Sequence, residues 1–125
     1  MNKVINKPKG FTLIEVVAGL IILAIGLLGI AAMQITATKG SFFSNNVTQA
    51  NFFAQDKLEY LKNLPYNDPN LSNGHYNEGK ISTTIFSREV DIEEDIGNSM
   101  KTISVTIQWT DRGNHSISFS TIRSK

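Results

Sequence analysis

Apolar residues are gathered near the start of the chain. From Phe11 to Met33 the sequence FTLIEVVAGLIILAIGLLGIAAM carries one charge, Glu15. A helix over residues 11–33 would rise about 34 Å at ~1.5 Å per residue, enough for a hydrocarbon core of ~30 Å. An ordinary secretory signal has a shorter apolar run with its small-residue cleavage site behind it. Here the small residue, Gly10, comes before the run. Lys3, Lys7 and Lys9 lie on the N-terminal side and no lysine or arginine lies within it. The positive-inside rule then predicts a cytoplasmic N-terminus and a C-terminal domain across the membrane.

Helical patterning continues beyond this run. Phe43, Val47, Ala50, Ala54, Leu58 and Leu61 recur at three- and four-residue steps, which predicts an amphipathic helix ending near Leu64, before Pro65. Phe42, Phe52 and Phe53 widen its apolar surface. Gly26, Gly29 and Gly40 are weak points, each costing ~1 kcal/mol relative to alanine in an exposed helix interior. Residues 65–80, PYNDPNLSNGHYNEGK, read as a loop. Strand-like alternation follows at Ile81, Thr83 and Ile85, at Val90 and Ile92, and at Ile103, Val105, Ile107 and Trp109. Asp111 to Asn114 supply a turn, and Ile117, Phe119 and Thr121 a returning strand. The expectation is an α+β fold: a long N-terminal helix packed on an antiparallel sheet of three or four strands. Its segments are residues 1–10, a basic leader; 11–33, a transmembrane half-helix; 34–64, an amphipathic half-helix; and 65–125, loop and sheet.

Composition narrows the chemistry. With no cysteine among 125 residues, disulfides, thiolate metal sites and cysteine nucleophiles are excluded. The formal charge is +1, and without Lys3, Lys7 and Lys9 nine basic residues face eleven acidic ones. That balance offers no basic footprint for nucleic acid. His75 and His115 have no second histidine at ligand spacing, so zinc is not expected. Glu89, Asp91, Glu93, Glu94 and Asp95 read as a solvated strand face running into a turn, without the glycine-containing loop of a calcium site. Trp109 reads as core. No phosphate loop, nucleophile elbow or catalytic carboxylate pair stands out, so neither enzymatic activity nor a cofactor is expected.

Glu15 is the anomaly. A carboxylate in a membrane helix costs ~2.5–3.5 kcal/mol on insertion scales and tends to be paired or functional. One turn from the helix start it is also a tolerable interfacial charge, favoured by the helix dipole. The surrounding Lys9-Gly10-Phe11-Thr12-Leu13-Ile14-Glu15 resembles the processing motif of type IV prepilins and type II secretion pseudopilins. The resemblance implies a pilin-like fold, leader cleavage between Gly10 and Phe11 by a prepilin peptidase, and N-methylation of Phe11. It also implies assembly through Glu15 and the Phe11 amine of a neighbouring subunit. Residues Ile21 to Gln34 and the C-terminal IQWTDRG and ISFSTI look most like the PilV type of minor pilin. That likeness implies a minor subunit that helps to initiate or cap a type IV pilus, with a minor pseudopilin of a type II secretion system as the alternative. The implied partners are the major pilin, other minor pilins and the inner-membrane assembly platform; the implied location is the bacterial inner membrane, with the domain in the periplasm, and then the filament.

Overall fold

A computed structural model describes residues 10–125. It contains one long helix, α1 (Leu13–Asn63), a short 3-10 turn (Pro69–Leu71), and four strands: β1 (Gly74–Lys80), β2 (Phe86–Asp95), β3 (Met100–Thr110) and β4 (Asn114–Ser124). The strands form one antiparallel sheet in the order β1-β2-β3-β4. This is an α+β, pilin-like arrangement of a long apolar N-terminal helix with a four-stranded sheet. The chain divides into two units, Met1–Gly40 and Ser41–Lys125.

In the first unit α1 passes Gly26, Gly29 and Gly40 without interruption. Apolar propensity on both sides outweighs the cost of isolated glycines. Thr36 and Thr38 return their hydroxyls to the carbonyls of Ala32 and Gln34, at 3.2 and 2.9 Å.

In the second unit the helix face foreseen from spacing is the packing face. Ala50, Ala54 and Leu61 are buried, and Val47, Phe53 and Leu58 are half-buried against the same core. Neither alanine has any exposed surface. Opposite them lie Phe86, Val90 and Ile92 of β2 and Ile103, Val105, Ile107 and Trp109 of β3. Alternation in β3 is strict, buried on odd positions and half-exposed on even ones. Phe43 remains nearly half exposed and sets its ring edge-on to His115 at 5.1 Å. At the C-terminus of α1, Arg123 of β4 donates to Lys62 O at 2.7 Å and also to Leu64 O, filling carbonyls that a helix end leaves unpaired.

Two local expectations are corrected. Residues 65–80 are not a loop throughout: Asp68 caps the Pro69–Leu71 turn by accepting from Asn70 N at 2.9 Å, Leu71 is fully buried, and Gly74–Lys80 is strand β1. Conversely, Ile81, Thr83 and Ile85 do not form a strand. Ser82 has φ 50°, and the Thr84 N–H and hydroxyl both return to Ile81 O, closing a turn that delivers the chain into β2. An edge strand exposed on both sides needs no apolar alternation, and a turn need not lack it.

Candidate leader and assembly site

The N-terminal site is built by the first turn of α1. Thr12 is its cap: its carbonyl accepts from Glu15 N at 3.1 Å and Val16 N at 3.2 Å, and its hydroxyl accepts from Glu15 N at 3.4 Å. Thr12-Leu13-Ile14-Glu15 is the spacing of a capping box, a signal carried by the sequence itself. It sets Glu15 in the first turn, where the positive end of the helix dipole favours a carboxylate. Among the described residues Glu15 has no ion-pair partner.

Gly10 and Phe11 stand immediately before this turn. Phe11 is 84% exposed. A Cβ added to Gly10 would meet nothing within 4 Å, so nothing in the described fold calls for glycine there. The expected leader, apart from Gly10, lies outside the described residues. From Leu13 to Ile35 the large apolar side chains stand exposed, among them Ile14 at 77%, Ile22 at 72% and Met33 at 74%. Such a surface has the length and composition to cross a membrane.

In the second unit the polar residues pair with one another. Glu78 takes Lys57 Nζ and Arg88 Nε at 2.5 Å each, tying α1, β1 and β2 together. Partial burial pushes the Glu78 carboxyl up, but hydrogen bonds and charge from Lys57 and Arg88 outweigh it and hold it below its ordinary value. His75 Nδ1 lies 2.5 Å from Asp91 Oδ1, and that hydrogen bond, with the Asp91 charge, raises the imidazole above its ordinary value. Lys101, the one buried charged side chain among the described residues, donates to Tyr66 O and Leu71 O, both at 3.0 Å. Glu94 is 3.8 Å from it. The acidic run is thus divided: Asp91 pairs with His75, Glu94 approaches Lys101, and Asp95 caps the turn at Gly97 by accepting its N–H at 3.1 Å. Among the described residues no group of three or more His, Asp or Glu is arranged to hold a metal. Sequence reasoning missed Lys101, Glu78 and Arg123; only Lys101 had a signal, being the inward position one step before Ile103.

The fold and this terminus define an α+β protein whose apolar N-terminal helix points to membrane anchoring. Residues 5–31 match the family model described as the prokaryotic N-terminal methylation motif. That motif supports a type IV prepilin-like leader and indicates the type IV pilin and pseudopilin family, with processing by a prepilin peptidase and assembly with other pilins. Comparison with curated proteins and with solved structures gives no match.

Proposed function

We propose that this chain is a minor pilin of a type IV pilus, helping to initiate or cap the filament. The observation that carries the reading is the methylation motif over residues 5–31, joined to a helix whose first turn holds Glu15 just behind Gly10 and Phe11. A peptidase cutting between Gly10 and Phe11 exposes the Phe11 amine, a cation that methylation preserves. Residues 11–33 cross the inner membrane, leaving the sheet domain in the periplasm. As the subunit joins the filament, the Glu15 carboxylate and a neighbour's Phe11 amine offset each other's desolvation in the apolar bundle. The short cysteine-free domain and the likeness to the PilV type favour a minor role over that of the bulk subunit.

Mass spectrometry of the membrane-bound protein tests processing: an N-terminal methylated phenylalanine is expected, and an intact leader beside an active prepilin peptidase refutes the reading. Glu15→Ala should leave cleavage intact while lowering recovery in sheared filaments. Proteomics of those filaments should find this chain far below the most abundant pilin. Recovery only in a secretion-associated rod would assign it to the pseudopilins instead.

A further inference from the structure

The two edges of the sheet differ. Strand β1 has seven residues, a register slip between Asn77 and Gly79, and two glycines at positive φ, features that discourage pairing with another chain. Strand β4 runs eleven residues in unbroken register with β3, from Thr110↔Asn114 to Met100↔Ser124. It contains no proline, and its one arginine, Arg123, is engaged with the end of α1.

The parity of its hydrogen bonds follows from Lys125 N donating to Ser99 O at 3.1 Å. Antiparallel ladders alternate bonded and non-bonded pairs, so odd positions of β4 spend their N–H and C=O groups on β3. The backbone groups of Ser116, Ser118, Ser120 and Ile122 therefore point away from the sheet. No backbone group elsewhere among the described residues pairs with them outside the ladder.

The apolar layer is also unfinished along this edge. Val105 and Ile107 of β3 are fully buried, whereas their partners Phe119 and Ile117 on β4 are only half-buried. A groove of about 350 Å³ between α1 and β4 is lined by Gln55, Leu58, Glu59, Lys62, Asn63 and Thr121. An added strand would pair with the open backbone groups, and its alternate side chains would cover Ile117 and Phe119.

We infer that β4 is a docking edge, and that its occupant is an extended segment of a different filament subunit, apolar at alternate positions. This rests on the filament reading above. A second copy is the poorer occupant: antiparallel β4–β4 pairing about an axis normal to the sheet would run the two packed helices in opposite directions. Subunits drawn from one membrane into one filament share a direction.

Proline at Ser118 tests the edge, because it removes an outward N–H and leaves the β3 ladder whole. Ser118→Ala is the control, since both variants lose the hydrogen bond that Ser118 accepts from Thr106. With melting of the two detergent-solubilised full chains matched, Ser118→Pro should be recovered in filaments about tenfold less than Ser118→Ala. Ser118→Cys needs no proline: in this cysteine-free chain a benzophenone attached there should cross-link, within filaments, to an extended segment of another subunit. Equal recovery of the two variants, no adduct, or an adduct to β4 of a second copy overturns the inference while leaving the filament reading intact. Absence of the wild-type chain from filaments overturns both.

Discussion

Replacing Lys101 with methionine isolates what a buried ammonium does here. Methionine keeps the apolar stem that fills the end of the β3 inner face and removes only the charge and its donors. Lys101 is 5% exposed and donates to two carbonyls at 3.0 Å, with the Tyr66 ring centroid 4.5 Å from Nζ. Two terms oppose each other. Removing the ammonium relieves a desolvation penalty of several kcal/mol. It also removes two charge-assisted hydrogen bonds of ~1.5–3 kcal/mol each, and a carbonyl that then stays buried costs a further ~1–3 kcal/mol. Tyr66 O is partly exposed and can take water, whereas Leu71 O is buried and cannot. The balance is a net loss of about 2 kcal/mol, concentrated in the segment that Lys101 pins.

Denaturant unfolding of the full chain in detergent micelles measures the global loss. Amide exchange locates it: the Leu71 and Ser72 N–H groups, bonded to Asp68 O and Pro69 O, should exchange faster in Lys101→Met while those of β3 keep their relative protection. A more stable variant, or unchanged exchange at Leu71 and Ser72, would show that desolvation outweighs the bonds and refute the reasoning.

Ala54→Leu should destabilise by ~1–3 kcal/mol through overpacking, because Ala54 has no exposed surface, and a variant of wild-type midpoint would mean the helix can back away from the sheet. Leu61→Asp should unfold the domain where Leu58→Asp only weakens it, since Leu61 is 2% exposed and Leu58 half-buried; thermal melts of the two variants rank them. Because Glu78 has a depressed value when folded, its contribution is fully present above the ordinary glutamate value of 4.5 and lost as pH falls below it through the folded value. A wild-type advantage over Glu78→Gln that persists in acid would contradict this. His75 is the opposite case: a raised value gives a contribution present below the ordinary 6.5 and lost as pH rises through the folded value. NMR should show its titration above 6.5 in the wild type and back near it in Asp91→Asn.

Which parts of the fold were legible depends on whether the information was local. The stripe from Val47 to Leu61 and the alternation from Ile103 to Trp109 report burial directly, because each buried side chain recurs at the period of its own element. Strand β1 was not legible. Its residues GHYNEGK are nearly all exposed, and what makes them a strand is pairing with β2, from Gly74↔Ile92 to Lys80↔Ser87. Arg123 and Glu78 escaped for the same reason, since their partners at Lys62 and at Lys57 and Arg88 belong to other elements. At the N-terminal site the residues were legible as a motif, and the capping role of Thr12 was legible as a spacing. Whether Glu15 meets an amine depends on a second molecule.

The distribution of unmet needs bears most directly on function. In the second unit, carbonyls at the end of α1 are filled by Arg123, a buried lysine is held by Tyr66 and Leu71, and Glu78 has two cations. Only the indole N–H of Trp109 is buried without a partner among the described side chains. Among the described residues the needs left open include the apolar side chains from Leu13 to Ile35, the Glu15 carboxylate and the outer edge of β4. Each asks for a different complement. Exposed aliphatic side chains gain from lipid or from other apolar helices, a carboxylate near a membrane surface from a cation, and an unpaired strand edge from an extended backbone. Solvent water meets the last two needs but not the first. Membrane insertion alone meets the first and leaves Glu15 at a cost. On the proposed function, packing among similarly processed helices would meet the first two at once, because cleavage before Phe11 would create a cation for Glu15. The edge of β4 is satisfied by water in the free domain, so the docking inferred there would belong with assembly rather than with folding.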